Sequence, residues 1–141
     1  MLRLITVLIA VLAAGCGAAQ PPKAFDGLKS RYGASERIEF QIENPSPDSL
    51  FYWIQVEMRG DDGWYLVYSS LAGLRSDMSE PQIDSLASGE TVAVNWVPAS
   101  DEVFRVRNER GSHEYRFVLR TIRDRREEDP TSTPSSPFLV E

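Results

Sequence analysis

Two chemically versatile residues are almost missing from this chain of 141 residues, which has one cysteine, Cys16, and one histidine, His113. A single thiol closes no disulfide within the chain, so a domain built from it is held together by its core. One histidine gives no zinc-ligand set, and in "GSHEY", at the entrance to a predicted strand, it is a solvated turn residue rather than the base of a nucleophilic pair. Asp61-Asp62 and Glu127-Glu128-Asp129 lack the spacing of a calcium loop and read as solvated turns. Carboxylate pairs among 21 acids have no diagnostic value for glycoside hydrolysis. No catalytic residue, metal ligand or cofactor is assigned from the sequence.

Long apolar runs are lacking too. The one at the start, residues 4–14, is about eleven residues long, the length of a secretory h-region and far short of the about twenty needed to cross a bilayer. Arg3 precedes it, and the small residues Ala13, Ala14 and Gly15 lead into Cys16. "LAAGC" resembles a bacterial lipobox, with the departure that Ala13 stands where leucine is usual and Leu12 lies one step back. The resemblance implies cleavage before Cys16, a diacylglyceryl thioether on its sulfur and an acyl chain on the freed amine. The expected organisation is a signal peptide over 1–15, lipidated cysteine and tether over 16–23, and a domain over 24–141. The expected partner at this end is the lipid bilayer, and the expected location is the cell envelope. Gly17, where an aspartate would retain a lipoprotein in the inner membrane, points to the outer membrane of a source with two.

Positive charge is the scarcer sign, with 15 basic residues against 21 acids. Loss of Arg3 with the signal leaves 14 against 21, net −7, which repels phosphate and argues against nucleic acid as a partner. Arginines cluster at 105, 107 and 110 and again from 116 to 126, each set interleaved with acids as on a solvated face.

What is present is the punctuation of an all-β domain. "RIEFQIE" alternates without a fault and predicts a half-buried strand over 37–43 with Ile38, Phe40 and Ile42 inward. "NPSPD" turns the chain, and "SLFYWIQVEM" follows with Leu50, Tyr52, Ile54, Val56 and Met58 on one side. "GDDG" marks a hairpin before "WYLVYSS". "TVAVNWV" places Val92, Val94 and Trp96 inward, and "EYRFVLRTI" places Tyr115, Phe117 and Leu119 inward. Residues 71–90 lose the pattern but hold Leu71, Leu74, Met78, Ile83 and Leu86, as a packed connection would. "RDRREEDPTSTPSSP" is expected to be an exposed loop, and "FLVE" a closing edge strand.

With "AFDGLKSRY" as a first strand, about seven strands are spaced by turn signals, the profile of an immunoglobulin-like β-sandwich. "YGASERIEFQIEN", "GWYLV", "LASGETVAVNW" and "EYRFVLR" resemble the successive strands of bacterial immunoglobulin-like extracellular domains. There a tyrosine-glycine turn opens a strand ending in asparagine, and a leucine-x-x-glycine-glutamate turn opens a later one. The layout is also similar to a family of small bacterial proteinase inhibitors of this fold, although no stretch maps as an inhibitory loop. Tyr115 fits either a tyrosine corner or a plain core tyrosine.

The expected function is a monomeric, membrane-anchored, non-catalytic binding or structural module, with peptidase inhibition as the alternative. Alternation turns Phe51 and Trp53 outward on the strand paired with Arg116, Val118 and Arg120, beside a hairpin strand carrying Tyr65. These six form the candidate docking face for an envelope protein or peptide, unless residues 71–86 fold over it.

Overall fold

The computed structural model describes residues 19–69, 83–100 and 112–141. Among them the strands are β1 (Lys23–Ala24), β2 (Arg31–Tyr32), β3 (Ile38–Glu43), β4 (Leu50–Gly60), β5 (Gly63–Ser69), β6 (Asp84–Leu86), β7 (Thr91–Trp96), β8 (His113–Ile122), β9 (Thr131–Pro134) and β10 (Phe138–Val140). One sheet has the order β1-β3-β7. The other has the order β2-β10-β8-β4-β5, with β6 also on β4 and β9 also on β8.

The alternating sequences become strands because each can bury one face and wet the other. In β3, Ile38, Phe40 and Ile42 are buried while Glu39 and Gln41 are exposed. β4 buries Leu50, Tyr52, Ile54 and Val56 on its inner face, while on the other face Phe51, Gln55 and Glu57 are half-buried and Trp53 is buried. The inward faces of both sheets meet in one apolar cluster, so the fold is an all-β, immunoglobulin-like sandwich. Phe117 lies at its centre, with ring centroids at 4.8 Å from Phe40, 5.0 Å from Phe138 and 5.8 Å from Trp96. Every core residue expected from alternation belongs to this cluster, Met58 and Val92 at its margin.

Asn44, fully buried in the turn after β3, fastens that turn to the one before β7. Its Nδ2 donates to the carbonyls of Asp48, Leu86 and Ala87 at 2.9, 3.2 and 3.1 Å, and its Oδ1 accepts from the Ser46 N–H at 3.1 Å. Glu90 closes the second turn by accepting the Ala87 N–H at 2.7 Å. The strand-ending asparagine and the leucine-x-x-glycine-glutamate turn are thus two halves of one hydrogen-bonded device.

Three expectations are corrected. The first strand is split, since β1 pairs with β3 in the small sheet and β2 runs parallel to β10 in the large one. The loop expected through 123–137 contains β9, which pairs with Val118, Leu119, Arg120 and Thr121 of β8. Its "TSTP" buries no apolar face, and it is held by backbone pairing and by the hydrogen bond from Arg120 to the Ser132 hydroxyl. β10 is an internal strand between β2 and β8, not an edge. Tyr115, left open between a corner and a core role, is fully buried and packs edge-on to Trp96, with centroids 6.1 Å apart. Elsewhere, the Tyr32 hydroxyl accepts the Lys29 N–H at 2.7 Å. Residues 71–82, Arg105, Arg107, Arg110 and the whole segment through Cys16 lie outside the described residues.

Candidate functional site

The outer face of the larger sheet is built by register. Directly opposed residues share a face, so Glu57 aligns with Arg116 on one side and Leu66 on the other, and Arg59 aligns with Trp64. Arg116 donates through Nε to Glu57 Oε2 at 2.7 Å, and its Nη2 lies 2.6 Å from the same oxygen. Both side chains are half-buried, which strengthens the attraction over that of a surface pair. The Arg116 guanidinium also lies 4.4 Å from the centre of the Trp64 ring, and that of Arg59 lies 5.3 Å from it. Each such contact contributes about 0.5–1 kcal/mol near water. Next to this cluster Leu66 is 51% exposed.

Further along the same face, Trp53 opposes Arg120, which opposes Ser132, and Arg120 donates to the Ser132 hydroxyl. The buried Trp53 Nε1 and Arg120 Nε have no hydrogen-bond acceptor among the described residues. Phe51 opposes Ile122, and the Arg125 guanidinium stands 4.9 Å from its ring centre.

The six predicted docking residues are therefore only partly brought together. Phe51, Trp53, Arg116, Val118 and Arg120 do share the face. Trp53 and Val118 are buried, at 9% and 3% exposure, which removes them from any surface open to a partner. Tyr65 falls on the opposite face, opposed to Met58, and its ring lies over Gly60, where a Cβ would come within 2.1 Å of Tyr65 Cε2. The reason is a β-bulge between Val56 and Glu57, where the pairing steps from Leu66 to Tyr68 and Val67 is the extra residue. The outward residues that alternation missed are Trp64 and Leu66, and only the bulge, which leaves no mark in the apolar pattern, decides the phase.

The other sheet presents Glu39, Gln41, Ala93 and Asn95 around a shallow polar depression of about 410 Å³. A second cavity of about 410 Å³ lies at the pole where the chain enters, between Ala19, Pro21 and Pro22, the turn at Ser46 and Asp48, and Arg123 and Glu127. Glu127 is occupied in turn formation, accepting the Arg123 N–H at 3.0 Å. Among the described residues no group of three or more His, Cys, Asp or Glu side chains is placed to hold a metal ion.

No protein-family model and no curated protein sequence matches the chain. Among solved structures it is similar to the CsuC–CsuE chaperone–tip adhesion subunit pre-assembly complex from the archaic chaperone-usher Csu pili of Acinetobacter baumannii. The TM-score is 0.47 and the identity 13%, over 78% of this chain and 47% of that one. It is similar to the seventh PapD-like domain of human CEP192, with a TM-score of 0.39 and 10% identity over 99% of this chain and 94% of that one. A β-glucosidase from Listeria innocua gives a TM-score of 0.43 and 15% identity over 85% of this chain and 16% of that one. The chain thus spans about half the length of the first and a small part of the last.

Proposed function

We propose that this chain is a lipid-anchored cell-envelope protein whose immunoglobulin-like domain serves as a non-catalytic binding or structural module. The observation that carries the reading is Cys16, the lone cysteine, set behind an apolar run of signal-peptide length and the small residues Ala13, Ala14 and Gly15. A diacylglyceryl group with an added acyl chain anchors stably, since each buried methylene contributes about 0.8 kcal/mol. The fold then has no part in membrane attachment. Gly17 favours the outer membrane in a bacterium with two.

Support for a non-catalytic role comes from where the polar side chains are spent. Asn44 holds two turns together, Tyr32 accepts the Lys29 N–H, and Arg116 neutralises Glu57 while covering Trp64. The test is the mass of the mature N-terminus together with envelope fractionation of Cys16→Ala. An acylated Cys16 terminus and an unprocessed Cys16→Ala precursor are expected. A free Cys16 thiol, or cleavage elsewhere, overturns the reading. Proteins recovered with the chain from its own envelope then separate envelope-assembly partners from a captured protease, which would move it to the inhibitor class.

A further inference from the structure

The N-terminal strand is held weakly and left under strain. β1 is two residues long, aligned as Lys23 with Glu43 and Ala24 with Ile42. The Lys23–Glu43 ion pair, at 3.6 Å, is solvent-exposed on both sides and adds little. Immediately after it Phe25 adopts φ 70°, the one non-glycine residue with positive φ among the described residues. A bulky L side chain enters this left-handed region only at a cost, because its Cβ crowds the following carbonyl. The ring is nonetheless well seated, with centroids 5.0 Å from Phe40 and 6.3 Å from Phe117. The chain must then cross to the other sheet within residues 25–30 to reach β2.

A short edge element with specific side-chain seating, joined through a strained short hinge, is the arrangement that favours exchange between identical chains. We propose that two copies of this chain exchange β1, each laying Lys23, Ala24 and the Phe25 ring on the β3 of the other. The same contacts form in both arrangements. What differs is the hinge, which extends in the exchanged pair and releases Phe25 from its left-handed conformation. The exchanged element is small, so association is weak in solution and grows where copies are concentrated, as on a membrane. The exchange itself does not depend on the anchor.

The test uses full-length chains carrying different tags, one with Lys23→Cys and the other with Glu43→Cys, co-expressed and mildly oxidised. Both are made with Cys16 native and with Cys16→Ala. Exchange predicts mixed dimers, disulfide-linked from position 23 of one chain to position 43 of the other, in excess of either like-with-like dimer. The excess should appear in the Cys16→Ala pair at high protein concentration as well as in the native one. Adding Phe25→Gly to both chains should lower the mixed dimer by roughly tenfold, because glycine occupies the same φ without strain. Phe25→Leu, which keeps the Cβ, should leave it near its original level. Mixed dimers no more frequent than the like-with-like products overturn the proposal, as does an equal yield from Phe25→Gly and Phe25→Leu. A mixed dimer that persists unchanged without Cys16, beside an unlipidated wild-type terminus, supports exchange while removing the anchor.

Discussion

Gly89 donates its backbone N–H to the Asn44 carbonyl at 2.8 Å, and does so from a left-handed conformation with φ 71°. With the bonds from the Asn44 amide to the Leu86 and Ala87 carbonyls, this locks the end of β3 to the start of β7 across 42 and 43 positions of sequence. Asn44→Ala strips those carbonyls and the Ser46 N–H of their partner in a buried site. The expected loss is about 3 kcal/mol, since each buried group left unpaired costs about 1–3 kcal/mol. Gly89→Ala should cost about 1 kcal/mol through its φ alone. Urea denaturation measures both, and an Asn44→Ala midpoint equal to the wild type's contradicts the structural role.

Tyr52 is buried and aligned with Asp84 on β6. Burial first, and then the nearby carboxylates of Asp84 and Glu90, push its phenol above the usual value. A group whose folded value is raised contributes stability present in full below its unfolded value, about pH 10 for tyrosine, and lost as pH rises through the folded value. Absorbance titration should show one phenol ionising above the usual tyrosine value, and that step should be missing in Tyr52→Phe.

Glu36 works in the opposite direction. The bond from Lys29 Nζ at 2.5 Å, and then that from the Gly33 N–H at 3.2 Å, hold its carboxyl below the usual range. With the folded value lowered, its stabilisation is present above the unfolded value, about 4.3, and disappears as pH falls through the folded one. The pair is on the surface, so added salt weakens it. The stability difference between wild type and Glu36→Gln should therefore shrink with acid and with salt; a difference unchanged by either counts against an electrostatic origin.

The Glu57–Arg116 pair should give a coupling of about 1 kcal/mol in a double-mutant cycle with Glu57→Gln and Arg116→Met, at the upper end for surface pairs because both groups are half-buried. Arg116→Met should also change the fluorescence of Trp64, whose ring it covers. Additive single substitutions would mean that the pair contributes nothing of its own.

β3, β4, β7 and β8 were legible because each alternates over six or more residues, and a face that must be buried fixes both the element and its phase. β9 was not, since Thr131, Ser132 and Thr133 bury no apolar face and join the sheet through their backbone and the Arg120–Ser132 bond. The switch of the first strand between sheets runs through Phe25 at φ 70° and a turn at Asp26 and Gly27, the latter at φ 81°; the Asp-Gly pair signals a turn, but nothing in the apolar pattern says that the two flanking pieces join different sheets. At the candidate site, Phe51 and Arg116 were placed on the correct face by alternation, whereas Tyr65 was misplaced by the one extra residue at Val67. The burial of Trp53 and Val118 depends on three-dimensional cover that periodicity does not encode.

The position of β10 has a consequence for the order of assembly. Phe138, Leu139 and Val140 lie between β8 and β2, and Arg31 Nη1 reaches Glu141 Oε1 at 2.8 Å across 110 positions. A chain emerging N-terminus first from a ribosome or a translocation pore has β2 out early but nothing for it to pair with. Phe138 and Val140 are fully buried in the core, so the core stays open until they emerge. Folding must wait for contacts that span 110 positions, which makes it slow and leaves the nascent domain unfolded until β10 has emerged.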